Sequence, residues 1–302
     1  MKAFDYVAAH SVAQVVALLD LHGENARILS GGTDLIVQMR EGRKQAALLV
    51  DIKSILEVNQ LSYDPNSGLF IGAAVPCWRI CADSAVASKY PGLVEAAGLI
   101  GGTQIQSRAS LGGNLCNASP AGDSIPALIV HQAVGIIAGS GGRREVAVES
   151  FCTAPGQTVL QRGEFLVGLR LPPPQAHSGA SYLRFTPRSE MDIAVVGAGA
   201  AVTLSADGAL FASARIALGG VAPTPLFVPQ AGEYMVGQPV SSEVVAQAAQ
   251  LARQAAHPIS DMRGSQAQRS HLCAVLARRA LESAVQRARA NESLPGEGGK
   301  ND

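Results

Sequence analysis

The sequence predicts an α+β protein with a two-part N-terminal region and a C-terminal region in which strands precede helices. Three observations carry this prediction. Short apolar runs in the N-terminal half alternate with glycine-rich loops and helical patterns. The run Pro172-Pro173-Pro174 ends an apolar strand and marks a boundary. Beyond it, three alternating segments come first and two helical segments follow, which predicts an antiparallel sheet packed against helices.

Residues 1–55 are expected to form a first subdomain, a small α/β unit. Ser11 is a good N-cap for an amphipathic helix that stops at Gly23. Two short buried strands follow, separated by a glycine-rich segment and a short helix. These later elements are a strand over 26–29, the first glycine segment (residues 29–35), a helix over 35–40 capped by Thr33 or Asp34, and a strand over 47–52.

Residues 56–175 are expected to form a second subdomain with two β-hairpins and several helices. The second glycine segment, residues 111–123, is too irregular for a strand and too rich in glycine for a helix interior, where each glycine costs roughly 1 kcal/mol. The other predicted elements are a hairpin over 61–63 and 69–72, helices near 78–82 and 91–99, a helix begun by Asp123 or Ser124, a hairpin over 133–138 and 145–148, and a strand over 165–171.

Residues 178–290 are expected to form the C-terminal α+β domain, and residues 291–302 a disordered tail. The predicted strands and helices are a three-stranded antiparallel sheet over 182–185, 193–204 and 210–218, then helices over 241–254 and 264–289. The run Gly197-Ala198-Gly199 resembles a dinucleotide-binding loop, but no helix follows it. A strand with glycines packed under a helix is therefore the better prediction.

The composition excludes several classes of function. Lysine plus arginine equals aspartate plus glutamate at 24 each, so no global field attracts nucleic acid. No apolar run reaches the roughly 18 residues that span a bilayer, and no signal peptide is evident, so a cytoplasmic chain that is not an integral membrane protein is expected. The cysteines lack metal-ligand spacing, so we expect no metal or iron–sulfur cluster on this chain. They are Cys77, Cys81, Cys116, Cys152 and Cys273.

The two glycine segments share a combination of features that points to one large phosphate-bearing ligand. Each follows a buried element, carries hydroxyl or amide side chains beside its glycines, and is trailed by an acid, Asp34 or Asp123. A pyrophosphate is bound by backbone N–H groups, and a ribityl or ribose hydroxyl by a carboxylate. FAD needs both. A lone glycine pair is more often only a tight turn, and Asp123 is equally explained as a helix cap.

Five ordered motifs resemble the flavin-binding (medium) subunit of the molybdenum hydroxylases, the xanthine dehydrogenase and carbon monoxide dehydrogenase family. The resemblance extends from residue 1 to about residue 285. The motifs are Gly31-Gly32-Thr33-Asp34-Leu35; Ser110 to Asn114 with Ala118-Ser119-Pro120 and Asp123; Tyr182-Leu183-Arg184-Phe185 with 188–194; Gly220 to Pro225; and Pro258 to Gly264.

The resemblance implies a two-lobed FAD-binding domain of the vanillyl-alcohol oxidase/PCMH type, followed by the C-terminal domain. Non-covalent FAD is implied, since Thr33 and Asp34 occupy the region where related flavoproteins use a histidine for attachment. Arg184 stands where the family commonly has lysine near the flavin, and Ile100 where some members place an aromatic ring. The implied cofactor-binding residues are Leu29, Ser30, Gly31, Gly32, Thr33, Asp34, Leu35, Ile36, Ile100, Gly101, Ser110, Leu111, Gly112, Gly113, Asn114, Asp123, Leu166, Tyr182 and Arg184.

The same resemblance implies a role in electron transfer with no catalytic residue on this chain. Electrons would arrive from [2Fe–2S] clusters on a small partner subunit, after substrate oxidation at a molybdenum–pterin site on a large partner subunit. They would leave to NAD⁺, a quinone or oxygen, and the whole enzyme would be a dimer of heterotrimers. An N-heteroaromatic or purine-like substrate is favoured. The alternatives are a carbon monoxide- or aldehyde-oxidising member, a stand-alone FAD oxidoreductase, and a binding or scaffold module whose glycine loops are only turns.

Overall fold

The computed structural model describes residues 2–188 and 191–291. At the N-terminus, three short strands form a parallel sheet in the order β1-β3-β2. The predicted N-cap is confirmed, because the Ser11 side chain accepts a hydrogen bond from the N–H of Gln14, and the helix ends at Gly23. The first strand was not predicted. The elements are β1 (Asp5–Ala8), α1 (Val12–His22), β2 (Ala26–Leu29), α2 (Leu35–Arg40) and β3 (Leu48–Asp51).

A five-stranded antiparallel sheet follows, in the order β4-β5-β10-β6-β7. Both predicted hairpins are confirmed as β4-β5 and β6-β7, and the predicted strand before the prolines is central β10. The strands are β4 (Leu61–Asp64), β5 (Gly68–Gly72), β6 (Val134–Gly139), β7 (Gly142–Ala147), a separate pair β8 (Cys152–Ala154) and β9 (Gln157–Thr158), and β10 (Phe165–Leu171).

Six short helices connect β5 to β6 and cover this sheet. The two helices predicted near residues 78–82 and 91–99 are confirmed as α3 and α5. The helix after the second glycine segment begins at Ser124, as predicted. The helices are α3 (Cys77–Ala82), α4 (Ser84–Lys89), α5 (Pro91–Gly98), α6 (Thr103–Gln106), α7 (Leu111–Asn117) and α8 (Ser124–Val130).

Helix α7 contradicts the prediction that the second glycine segment is too rich in glycine for a helix. The Ser110 side chain caps α7 by accepting from the N–H of Gly113 at 3.0 Å. A Cβ added to Gly112 would lie 2.5 Å from the carbonyl oxygen of Ala73, so only glycine lets α7 pack this closely on neighbouring backbone. The cap and this close packing offset the glycine penalty, which is about 1 kcal/mol per residue.

The carboxylates predicted as helix caps do not act as caps. Asp34 and Asp123 precede α2 and α8 in the chain, but neither side chain accepts a capping hydrogen bond. Asp123 instead binds two side chains of the C-terminal domain. Its helix-cap interpretation is therefore wrong.

The C-terminal domain contains the predicted three-stranded antiparallel sheet, extended by an unpredicted two-residue fourth strand. Gly199 lies in the second of these strands, where an added Cβ would approach the carbonyl oxygen of Pro126 in α8 to 2.9 Å. The prediction of a strand with glycines packed under a helix is therefore confirmed. The elements are β11 (Ser178–Phe185), β12 (Val196–Leu204), β13 (Phe211–Gly219), β14 (Leu226–Phe227), α9 (Pro229–Met235), α10 (Ser242–Ala255) and α11 (Gln266–Ala290). The tail predicted to be disordered lies, from residue 292 onwards, outside the described residues.

Polar contacts join the C-terminal domain to the five-stranded region through α5 and α8. Glu95 in α5 forms an ion pair with Arg287 in α11 and accepts from the N–H of Tyr182 at 2.8 Å. Arg215 in β13 donates to the carbonyl oxygen of Ile129 in α8 at 3.2 Å. These contacts fix β11 against α5 and β13 against α8.

A buried histidine at the end of α8 makes the stability of this region depend on pH. The ring of His131 packs edge-on against Tyr90, with 5.5 Å between ring centroids. Its Nε2 is buried and has no hydrogen-bond partner among the described residues. Burial lowers the pKa of His131 from 6.5 to about 4.

We expect the free energy of unfolding to fall as the pH is lowered from about 6.5 to about 4, because unfolded His131 binds a proton that the folded chain does not. The part due to this residue reaches about 3 kcal/mol. Denaturant unfolding at a series of pH values measures it, and His131→Phe should lose that part of the slope. His10→Phe, at an exposed position, is the control. An unchanged slope in His131→Phe would contradict the assignment.

Candidate functional site

A cleft separates the first glycine segment from α7 and β10. It has an empty volume of about 970 Å³, including its open mouth. Its two sides touch at the base, where the Oγ atoms of Ser30 and Ser110 lie 3.0 Å apart. Ser110 Oγ also accepts from the N–H of Gly113, so one hydroxyl both caps α7 and joins the two glycine segments.

The cleft brings together most of the residues predicted to bind a cofactor. The predicted residues that line it are Ser30, Gly31, Gly32, Thr33, Asp34, Leu35, Ile100, Ser110, Gly112, Gly113, Asn114 and Leu166. The predicted residues outside its lining are Leu29, Ile36, Gly101, Leu111, Asp123, Tyr182 and Arg184. The lining members include the loop after β2 and residues of α2, α7 and β10, so the site is assembled from parts of the chain around both the parallel sheet and the five-stranded sheet.

The glycines at the base of the cleft are required by close packing. A Cβ on Gly31 would overlap the carbonyl group of Arg108, just before the second glycine segment. Gly32 has a φ of +78°, in the left-handed region that favours glycine. The first glycine segment can therefore turn tightly against the second only because both positions lack a side chain.

The cleft offers unpaired hydrogen-bond donors and positive charge. The N–H groups of Gly31, Gly32 and Thr33 have no acceptor in the part of the chain that the structure describes. Arg27 and Lys44 also line the cleft. Backbone N–H groups backed by cationic side chains suit a phosphate or pyrophosphate group. These donors lie on a loop whose packing leaves no room for a Cβ at Gly31. The donor set therefore fits the dinucleotide part of FAD.

The sequence motifs missed several residues that line the cleft. Gln38 in α2 donates from Nε2 to Oδ1 of Asn117 at 2.9 Å, a second link between the two sides. Its Oε1 is buried without a hydrogen-bond partner among the described residues, so it can accept from a ligand. Gln38 follows Asp34 by four residues, so helical spacing could have placed it on the same face. The other missed lining residues are Arg27, Ile28, Lys44, Ile52, Ala73, Ala109, Cys116, Asn117, Leu160, Glu164 and Phe165.

Asp34, one of the two acids that line the cleft, has a shifted pKa. Desolvation by the surrounding protein raises the pKa of Asp34, although nearby Lys44 and Arg43 act in the opposite direction. Desolvation also lowers the pKa of Lys44, with a smaller lowering from Arg27. Lys44 forms no ion pair within 4.0 Å among the described groups, so its ammonium is available to an anionic ligand.

Asp123, Tyr182 and Arg184 form a buried polar cluster beside the cleft. The Tyr182 hydroxyl donates to Oδ1 of Asp123 at 2.8 Å, and Arg184 donates to Oδ2 at 2.7 Å. Burial raises the pKa of Asp123, although Arg184 and Tyr182 favour its charged form. Each oxygen of Asp123 accepts one protein donor and has capacity for another. Thus the cluster ties β11 to the start of α8.

The described residues contain no group of three or more histidine, cysteine or acidic side chains placed to hold a metal ion. The five cysteines form no disulfide. Within the described ranges, no helix combines the length and the apolar character needed to cross a bilayer.

Fold and site together define a protein with a cleft between two glycine segments whose donors suit a phosphate-bearing group. The family described as "FAD binding domain in molybdopterin dehydrogenase" matches residues 2–174. A second family, described as "CO dehydrogenase flavoprotein C-terminal domain", matches residues 181–284. The chain belongs to the FAD-binding subunits of the molybdenum hydroxylase family, as the motifs predicted.

Known relatives resemble the chain along nearly its whole length. The "Xanthine dehydrogenase FAD-binding subunit" of Escherichia coli O157:H7 is 30% identical over 285 residues, covering 93% of this chain and 97% of the relative. The "Carbon monoxide dehydrogenase medium chain" of Afipia carboxidovorans is 33% identical over 290 residues, covering 95% and 98%. The solved structure "Reconstituted CO dehydrogenase from Oligotropha carboxidovorans" superposes with a TM-score of 0.90 at 32% identity, covering 95% and 99%.

These similarities confirm the predicted fold class and the predicted FAD subunit of a multi-subunit oxidoreductase. They do not favour the stand-alone flavin oxidoreductase or the scaffold module. The alternative of a carbon monoxide-oxidising member concerns the substrate of the whole complex, which depends on the partner chains.

Removing Arg184 should destabilise the protein strongly, because Asp123 is left as a buried, unpaired carboxylate. The Arg184 side chain is only 5% exposed. Truncating one partner of a buried ion pair costs about 3–5 kcal/mol, and we expect a loss of this size for Arg184→Ala. Arg188→Ala is the control, because that side chain is 71% exposed in its pair with Asp192 and should cost less than about 1 kcal/mol. Chemical denaturation measures both. Equal losses in the two variants would show that the cluster is not a structural ion pair.

Proposed function

We propose that this chain holds non-covalent FAD in the cleft and transfers electrons between a partner's [2Fe–2S] clusters and an external acceptor. The observation that carries the proposal is the cleft's set of unpaired N–H groups beside Arg27 and Lys44. Bound FAD takes up electrons singly and passes them on in pairs. The chain supplies binding, position and electrostatics, and none of its residues is assigned a catalytic role.

The two sides of the cleft are assigned complementary tasks in binding FAD. The first glycine segment presents N–H groups to the pyrophosphate, and the start of α7 presents further donors from across the cleft. Ile100 and Leu166 give an apolar surface that keeps water from a ring system, since Ile100 is 9% exposed and Leu166 is 3% exposed. Gln38 Oε1 accepts from a hydroxyl or amino group of the cofactor.

The residues outside the cleft lining are assigned supporting roles. Leu29, Ile36, Gly101 and Leu111 flank lining residues in the chain and shape the backbone that faces the cofactor. Asp123, Tyr182 and Arg184 are proposed to reach the cofactor from the junction with the C-terminal domain. Their buried hydrogen-bond network, which adjoins α8, supports this placement.

The proposed division into domains follows the sheets. Residues 1–55 and 56–175 would form the two FAD-binding subdomains, and residues 178–290 the C-terminal domain. The separate parallel, five-stranded and four-stranded sheets support this division. Family matches over 2–174 and 181–284 support the boundary between the last two parts.

The proposed partners are a large molybdenum–pterin subunit and a small [2Fe–2S] subunit, in a dimer of heterotrimers. The names "FAD-binding subunit" and "medium chain" of the relatives support membership in such a complex. We assign the complex to the cytoplasm, with NAD⁺, a quinone or oxygen as the acceptor. A purine-like or other N-heteroaromatic substrate is supported by the relative named for xanthine, whereas the relative named for carbon monoxide supports the alternative.

Two measurements test the proposed function in order. After mixing with FAD and desalting, the purified chain should retain the visible absorption band of bound flavin at about 450 nm. Isolation of a tagged chain from its native cell should then recover a molybdenum-containing polypeptide and an iron–sulfur polypeptide, whose assay with xanthine or carbon monoxide identifies the substrate class. A colourless chain that does not retain FAD would refute the proposal. Oxidation of an organic substrate by the chain with FAD alone would instead establish a stand-alone enzyme.

Gly113→Val should abolish FAD retention while preserving helical content. Gly113 lines the cleft, and an added Cβ there meets no described atom within 4 Å except Ser110 Oγ at 3.1 Å. The valine side chain therefore occupies space needed by the cofactor, and we expect FAD affinity to fall at least about tenfold. Gly141→Val is the matched control in an open turn, where an added Cβ meets nothing within 4 Å. Flavin fluorescence titration and circular dichroism measure affinity and helicity. Wild-type FAD affinity in Gly113→Val would contradict the role of this part of the cleft in binding FAD.

A further inference from the structure

A row of polar side chains lies behind the first glycine segment, outside the cleft lining. Lys53 donates from Nζ to the carbonyl oxygen of Ser30 at 3.0 Å and to Oδ2 of Asp51 at 2.7 Å. The Tyr6 hydroxyl donates to the same Oδ2 at 2.6 Å. The row therefore runs from the surface of the parallel sheet to the backbone of the cofactor loop.

Lys53 is held firmly in this position. The other oxygen of Asp51 accepts from the backbone N–H of Lys53 at 2.9 Å, so one carboxylate binds both ends of the same residue. Asn59 donates from Nδ2 to the carbonyl oxygen of Lys53 at 2.7 Å. Burial favours a raised pKa for Asp51, but the hydrogen bonds from Lys53 and Tyr6 outweigh it and lower the pKa. Asp51 is therefore charged at neutral pH and fixes the ammonium.

The carbonyl that Lys53 contacts belongs to the peptide whose N–H is that of Gly31. A cation that hydrogen-bonds a peptide oxygen polarises the whole peptide and strengthens its N–H as a donor. Gly31 N–H has no acceptor among the described residues, and Gly31 lines the cleft. The charge of Lys53 is thus transmitted through one peptide to the cleft, although the lysine itself is not part of the lining.

We propose that Lys53 is a positioning residue for the anionic part of the cofactor, acting through the Ser30–Gly31 peptide. Its ammonium orients this peptide and strengthens the Gly31 N–H towards a pyrophosphate. Asp51 and Tyr6 hold the ammonium in place. The inference rests on the proposed binding of FAD and deepens it, because it assigns part of the affinity to a charge outside the cleft.

Lys53 could make the same contacts in a purely structural role, by holding the loop through hydrogen bonds alone, and this role must be distinguished from the proposed one. A neutral donor at position 53 could maintain the structural role, because it can still donate a hydrogen bond to the Ser30 carbonyl. It could not supply the charge that polarises the peptide, since hydrogen bonds from charged donors are roughly twice as strong as neutral ones. The decisive comparison is therefore between Lys53→Gln, which keeps a donor without charge, and Lys53→Arg, which keeps both.

The test measures FAD affinity by flavin fluorescence titration, with thermal unfolding of the FAD-free chain recorded in parallel. We expect Lys53→Gln to raise the FAD dissociation constant by roughly 10- to 100-fold. Lys53→Arg should stay within about threefold of wild type, because its guanidinium can bridge Asp51 and the Ser30 carbonyl. Lys89→Gln, in the last turn of α4, loses the same unit of charge away from the cleft and should bind FAD as wild type does.

Wild-type affinity in Lys53→Gln would overturn the inference, and so would an equal loss in Lys53→Gln and Lys53→Arg. If Lys53→Gln does not fold, Tyr6→Phe provides the test. This change removes the donor that shares Asp51 Oδ2 with Lys53, so the ammonium shifts from the Ser30 carbonyl towards the carboxylate, and FAD binding should weaken about fivefold. Unchanged affinity in Tyr6→Phe would then overturn the inference. A wild-type chain that does not retain FAD would refute the proposed function instead.

Discussion

The site depends on the close packing of one glycine from each glycine segment against neighbouring backbone. Gly31 packs on the carbonyl group of Arg108 and Gly112 on that of Ala73, at distances that any side chain would prevent. These contacts bring a loop of the parallel sheet, a short helix and the β5–α3 connection to one point. The hydroxyls of Ser30 and Ser110 then close the base of the cleft. The packing uses no backbone donor of residues 31–33, which line the cleft, so their N–H groups have no acceptor among the described residues.

The electrostatics of the site are local rather than global. The chain has equal numbers of acidic and basic side chains, yet positive groups surround the first glycine segment. Arg27 and Lys44 line the cleft, and Lys53 acts on it from behind. Of these cations, Lys53 is paired with Asp51, which also accepts from the Tyr6 hydroxyl, while Lys44 has no ion-pair partner in the described ranges. A chain without net charge thus places cationic side chains in and beside the cleft where an anion is expected.

Much of this architecture could be predicted from the sequence, because it is set by local patterns. The hairpin over 61–72 follows from alternating apolar residues around a turn, and the strand before Pro172 from an apolar run that the prolines end. Helix α7 could not be predicted, because its glycines are favoured by a contact with Ala73, distant in sequence. Helical spacing could have placed Gln38 on the same face of α2 as Asp34, but its hydrogen bond to Asn117 could not be predicted. The two residues are 79 positions apart, and no local pattern reports such a contact.

The buried cluster around Asp123 also has a consequence for synthesis of the chain. Its carboxylate leaves the ribosome 59 and 61 residues ahead of the Tyr182 hydroxyl and the Arg184 guanidinium that neutralise it. At the usual pace of translation, this delay is on the order of 3 to 12 seconds. During that interval α8 carries an acid with no counterion, and the helix cannot dock in its final position without burying it. The final packing of α8 therefore follows the synthesis of β11, although α8 precedes β11 in the chain.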